Sequence, residues 1–144
     1  MRTVIVIGAI VVASTLAYTM LPLGSHDAQE ISAVKILDGA LASVLLPKTL
    51  SQNAQIGKQA FEAKCASCHG TNAAGQDGVA PPLVHIIYEP GHHGDETFQR
   101  AAAMGVRAHH WPFGNMPAIE GITQGDIKMV TAYIRELQRA NGIY

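Results

Sequence analysis

The chain has 144 residues, 48% of them apolar, with 10 Lys and Arg against 11 Asp and Glu and a formal net charge of −1. That length holds one domain of modest size plus an appendage. Acidic and basic residues are interspersed and form no basic stripe of the kind a nucleic-acid surface needs, so no nucleic-acid partner is expected.

From Thr3 to Ser25 no residue is charged, and Val4 to Leu23 is a run of 20 mostly apolar positions. As a helix this run would be about 30 Å long, the thickness of a bilayer core. A secretory signal has a shorter apolar region, about 7–15 residues, followed by an A-x-A-like cleavage site. Here the nearest such site, Thr15-Leu16-Ala17, sits inside the run. Residues 1–24 are therefore expected to be an uncleaved transmembrane anchor rather than a removed signal. Arg2 favours a cytoplasmic N-terminus, which would leave the rest of the chain in the periplasm. Cleavage would instead release a soluble periplasmic protein.

Residues 25–50 read as an amphipathic helical linker, with a helix over about Ser25 to Pro47. Ser25 can cap it, and Asp27 and Glu30 suit its positive end. Ile31, Val34, Leu37, Leu41, Val44 and Leu45 recur at steps of three and four and would form one apolar stripe. That stripe would pack on the rest of the protein, dock on a partner subunit or lie at the membrane surface.

Residues 51–144 are expected to form the remaining domain. A helix starts near Ser51 and runs through Gln55, Phe61 and Lys64 into Cys65-Ala66-Ser67-Cys68-His69, which uses both cysteines of the chain. The run C-x-x-C-H is the attachment signature of c-type haem. Two thiols one turn apart can each add across one vinyl group of the porphyrin, and the following imidazole is carried under the ring to bind iron. A structural disulfide would not require His69, and a thioredoxin-like pair would sit in a βαβ context that is missing. An iron–sulfur cluster needs about four cysteines. Zinc would need two of the seven histidines, and none follows at finger spacing. One covalent haem c per chain is the expectation.

Glycine, proline and polar residues dominate Gly70 to Gly94, so this stretch is read as loop. Asp95 to Val106 is predicted as a helix, Gly114 to Gly121 as loop. The last helix starts after Thr123, whose hydroxyl and Asp126 three positions on approximate a capping box. Ile127, Val130, Ile134 and Leu137 give it a buried stripe up to about Ala140. No strand of useful length is predicted, so the fold class is all-α.

With these pieces placed, the segment from about Ser51 to Asn141 resembles the class I cytochrome c family. The attachment motif lies early in the domain, with one helix entering it and another closing the C-terminus. A four-helix-bundle cytochrome would carry the motif near its end. Gly57 and Phe61 match the small-plus-aromatic pair that the family packs against an aromatic of the last helix, here Tyr133. The resemblance makes His69 the proximal ligand, its second ring nitrogen bonded to a proline carbonyl. Pro81 in Val79-Ala80-Pro81-Pro82-Leu83 matches that proline, with Ala80 in place of the usual glycine. Met116, in Phe113-Gly114-Asn115-Met116-Pro117, looks like the methionine loop that supplies the second axial ligand.

Met104 and Met129 fall on predicted helices and are expected to be core residues. His109 or His110 in place of Met116 would give a bis-histidine haem. Trp111 and Arg107 carry donors suited to the haem propionates. His85, His92 and His93 lie in the polar connection, and the pairs His92-His93 and His109-His110 are weaker candidates for a metal.

A haem held by histidine and methionine implies a single-electron carrier with no catalytic residues and no small-molecule substrate. Its donor and acceptor would be membrane redox complexes, or it would be a haem subunit of one. If Met116 does not bind iron, an open haem could take a diatomic gas or peroxide. Between Gly70 and Gly121 the fixed positive charges are Arg100 and Arg107, against Asp77, Glu89, Asp95, Glu96 and Glu120. A lysine ring for docking on an acidic partner is therefore not expected.

Overall fold

The computed structural model describes residues 39–144. The expected anchor, residues 1–24, and the first part of the linker lie outside the described residues. Among the described residues no helix is long and apolar enough to cross a membrane. They form an all-α arrangement of four helices: α1 (Gln52–Lys64), the single turn α2 (Ala66–His69), α3 (Asp95–Met104) and α4 (Gln124–Ala140). Short 310 turns at Thr71–Ala73 and Ile86–Tyr88 punctuate the loops.

The helix starts follow from their caps. Ser51 Oγ accepts from Ala54 N at 3.3 Å ahead of α1. At α4 the capping box is complete: Asp126 N donates to Thr123 Oγ1 at 3.1 Å, and Thr123 N donates to Asp126 Oδ2 at 3.0 Å. Each satisfies a backbone donor that the first turn cannot. Asp95 and Glu96 open α3, where the helix dipole favours negative charge. This helix ends at Met104 rather than at Val106. Val106 instead exchanges two backbone hydrogen bonds with Met116, at 2.9 and 3.0 Å, and so cannot continue the helix.

The crossing of α1 on α4 is the centre of the core. Phe61 and Tyr133 meet with ring centroids 5.7 Å apart, tilted by 59°, as the sequence pairing implied. Gly57 lets the two backbones close. A methyl built at this position would overlap the carbonyl of Met129 and come within 2.9 Å of Val130 N. Ile134 and Leu137 of α4 complete the buried cluster with Ala54, Ala73 and Leu83.

The expected linker helix does not extend through residues 39–47. Gly39 sits at φ +84°, and the chain that follows runs as an irregular strap across the domain. Leu41 N and Ala42 N both donate to Ala74 O, at 3.1 and 2.9 Å. Further along, Asn141 grips Leu45 from both sides: Leu45 N donates to Asn141 Oδ1 at 2.8 Å, and Asn141 Nδ2 donates to Leu45 O at 2.9 Å. Ala40, Ala42 and Val44 turn inward, and Leu41, Ser43 and Leu45 turn out. That is the alternation of an extended chain. Of the expected stripe, Val44 packs while Leu41 and Leu45 do not, and the chain is bound to the domain from Gly39, twelve residues before Ser51.

Arg135 and Gln138 tie α4 to the loops. The Arg135 side chain, almost fully buried, donates to Tyr88 O at 2.6 Å, His93 O at 2.5 Å, Gln138 Oε1 at 2.6 Å and Asp95 Oδ1 at 2.8 Å. Its guanidinium also lies over the Phe98 ring, 5.1 Å from the centroid. Gln138 Nε2 donates to Leu83 O at 2.8 Å and Tyr88 O at 3.0 Å. A charge taken out of water requires such a partner set, and this one fixes the path of the loop between the 310 turn and α3.

Candidate haem site

A cavity of about 670 Å³ opens between α2, the Pro81–Leu83 segment and the loop from Gly105 to Pro117. Its size is that of a cofactor site. All seven residues singled out in the sequence, Cys65, Cys68, His69, Pro81, Arg107, Trp111 and Met116, come to its walls.

On one wall α1 runs into the attachment motif. Cys65 N donates to Phe61 O at 2.8 Å, so the helical path carries the first thiol onto the next turn. Burial, with the neighbouring Cys68, pushes the Cys65 thiol up to about 11. Cys65 is therefore held as thiol, not as the activated thiolate of a redox dithiol. His69 Nδ1 donates to Pro81 O at 2.9 Å, which fixes the tautomer and leaves Nε2 free to ligate. Burial lowers the His69 pKa below the ordinary histidine value, and the Pro81 bond offsets part of that. The proline segment is itself anchored by Leu83 N donating to Ala73 O at 2.9 Å.

The opposite wall is the Gly105–Pro117 loop. Its two-residue bridge to Val106 fixes the backbone of Met116, and Ala108 N donating to Asn115 Oδ1 at 2.9 Å closes the turn. Met104 departs from expectation. It is 71% exposed beside the cavity rather than in the core, at the last residue of α3, whose buried face is Ala102. Met129 is half-buried.

Trp111 lies between His85, edge-on at 5.1 Å, and Phe113, stacked at 6.0 Å and 12°. Its indole N–H is buried at the cavity wall without a hydrogen-bond partner. The Tyr88 phenol is near enough that the indole partly offsets the upward push of burial on its pKa, yet it lies outside hydrogen-bond geometry. An orphaned buried donor costs about 1–3 kcal/mol, and a carboxylate-bearing group in the cavity removes that cost. Two thiols, an imidazole with a free nitrogen, apolar walls and an unpaired donor together fit haem.

The match to known families agrees. The Cytochrome c family model matches residues 54–138, more than half of the chain. The chain belongs to the class I cytochrome c family. No curated protein matches it significantly. As a cytochrome c it carries covalently bound haem c, and the spacing of Cys65 and Cys68 is that of the attachment motif. It is a haem-based electron carrier.

Sequence reasoning missed one group in the cytochrome. Arg135 and Gln138 were hidden beside the apolar stripe of α4; the only trace of them is a polar row, Thr131, Arg135 and Gln138, at helical spacing. Three histidines from two loops, legible in the sequence only as the pairs His92-His93 and His109-His110, also converge. His92, His93 and His110 have ligand atoms all within 4.8 Å of one another.

Proposed function

We propose that the cytochrome passes single electrons with His69 and Met116 as the axial ligands of its haem iron. The observation that carries this reading is the fixed geometry of both residues at one cavity: His69 oriented by Pro81, and Met116 by its backbone bridge to Val106. The haem supplies a reversible one-electron couple between ferric and ferrous iron. A thioether is a soft ligand that favours the ferrous state, and it fills the position that a gas or peroxide would need. The Trp111 N–H and the Arg107 guanidinium would donate to the propionate carboxylates and hold the ring in register. We therefore read the protein as a carrier rather than an enzyme, with redox proteins as donor and acceptor and no small-molecule substrate.

The ferric protein should show the weak far-red charge-transfer band of methionine ligation, and the ferrous protein should not take up carbon monoxide. A ferrous protein that binds carbon monoxide stoichiometrically as isolated would sink this ligation.

We further propose that residues 1–24 hold the cytochrome in a membrane with the haem domain in the periplasm. The uncharged run of bilayer length supports this. The scarcity of fixed positive charge around the cavity fits a tether, which raises local concentration where electrostatic steering is weak. Washed membranes should retain the cytochrome through high salt and release it with detergent. Mass spectrometry of the released protein should give the intact chain plus one haem. A soluble mature form beginning near residue 18 or 25 would overturn the anchor.

A further inference from the structure

Four histidines crowd the rim of the cavity, and no part of the haem reading uses them. His92 and His93 lie in the turn before α3; His109 and His110 lie in the loop that leads to Met116. The His92 and His110 Nε2 atoms are 3.4 Å apart. The rings of His93 and His110 have centroids 5.3 Å apart, and those of His109 and His110 4.3 Å.

We propose that His92, His93 and His110 form a binding site for one divalent first-row cation of the zinc and copper class. Three features support it. First, two imidazole nitrogens on a tetrahedral metal, each about 2.0–2.1 Å from it, stand about 3.4 Å apart, which is the spacing of His92 and His110. Second, His93 Nδ1 donates to Ile87 O at 2.6 Å. That bond puts the ring proton on Nδ1 and bares Nε2, the arrangement that orients metal-bound histidines.

Third, the backbone of the site is built rather than loose. The His93 carbonyl is held by the buried Arg135 at 2.5 Å, and the His109–His110 turn is held between the Val106–Met116 bridge and the Ala108–Asn115 bond. An all-imidazole set without a carboxylate selects zinc or copper over magnesium or calcium. Three protein ligands leave a fourth position. His109, whose Nδ1 donates to Arg107 O at 2.8 Å, also presents a bare Nε2 beside the cluster.

The exposure of His92 and His110 gives the ion an open path. The ion would sit at the rim of the haem cavity, since all four histidines line it. The same loop carries Met116 six residues beyond His110, so an ion bound there would brace the methionine wall.

The test is calorimetric titration of the full-length, haem-loaded protein with Zn2+ alone, followed by Cu2+ with electron paramagnetic resonance. One ion per chain at micromolar affinity or tighter is expected. The Cu2+ spectrum should carry the hyperfine pattern of about three nitrogens. His92→Gln and His110→Gln should each weaken Zn2+ binding by about 10- to 100-fold, while His85→Gln, outside the cluster, should bind as the parent does. Haem absorption confirms that each variant is folded. Unchanged Zn2+ affinity in both cluster variants, or no binding below millimolar Zn2+ in the parent, would overturn the site. Because the readouts are metal uptake and copper ligation, they stand whichever methionine binds the haem iron, and they fail separately if His110 is taken by it.

Discussion

Met116→Ala should abolish the far-red band of the ferric protein completely and open the ferrous protein to one equivalent of carbon monoxide. On the proposed ligation, removing the thioether would leave the iron's sixth position open, since alanine carries no atom that can ligate. Met104→Leu is the matched control. Met104 also lies at the cavity, but exposed at the end of α3, so its replacement should leave the band intact. If Met104→Leu removes the band and Met116→Ala does not, the ligand assignment moves to Met104. A low-spin Met116→Ala protein that refuses carbon monoxide would mean that a histidine has taken the iron. His109 and His110 are the nearest in sequence to do so.

Gly57→Ala should lower the melting temperature by roughly 10 °C, even though alanine is the better helix former. Two effects oppose each other. Replacing a mid-helix glycine gains about 0.5–1 kcal/mol of backbone entropy. Against that, the new methyl would overlap the Met129 carbonyl and lie 2.9 Å from Val130 N, both backbone atoms that no rotamer change can move away. Overpacking of this kind costs about 1–3 kcal/mol, occasionally more, and here it must separate α1 from α4 at the Phe61–Tyr133 contact. A net loss of about 2 kcal/mol corresponds to roughly 10 °C for a domain of this size. Gly125→Ala provides the comparison. Its methyl would find Thr123 Oγ1 at 3.6 Å, an ordinary contact, so its melting temperature should hold or rise. Equal melting behaviour of the two variants would show that the close approach at Gly57 does not limit packing.

What the sequence carried well was local. Ser51 and Thr123 mark helix starts because a cap works within four residues, and C-x-x-C-H is legible because attachment needs a fixed spacing on one turn. The family resemblance pairs Pro81 with His69, and His69 Nδ1 lies 2.9 Å from Pro81 O. What stayed hidden depends on contacts distant in the chain. Leucines at steps of three and four resemble a helical stripe, yet residues 39–50 run as a strap. The packing face was the weaker alternation of Ala40, Ala42 and Val44, set by Ala74 and by Asn141 some 96 residues away. His92 and His110 are 18 positions apart, and only the loop path fixed by Arg135 brings them together. The helical position of Met104 predicts a core residue and does not reveal that α3 ends beside the cavity.

The strap also sets a radius. If the first 24 residues are fixed in a membrane and the domain were free from residue 51, the 26 residues between could span about 90 Å at full extension. With Gly39 onward bound to the domain, 14 residues remain, and at full extension they could reach at most about 50 Å. The volume the haem domain can sweep scales with the cube of that length and falls about sixfold, so encounters within reach become correspondingly more frequent. Partners whose electron ports stand more than a few tens of ångströms above the bilayer move toward the edge of that hemisphere. Lengthening the leash would take release of Gly39 from Asp77 and of Leu41 and Ala42 from Ala74, with the Asn141–Leu45 clasp yielding only after them.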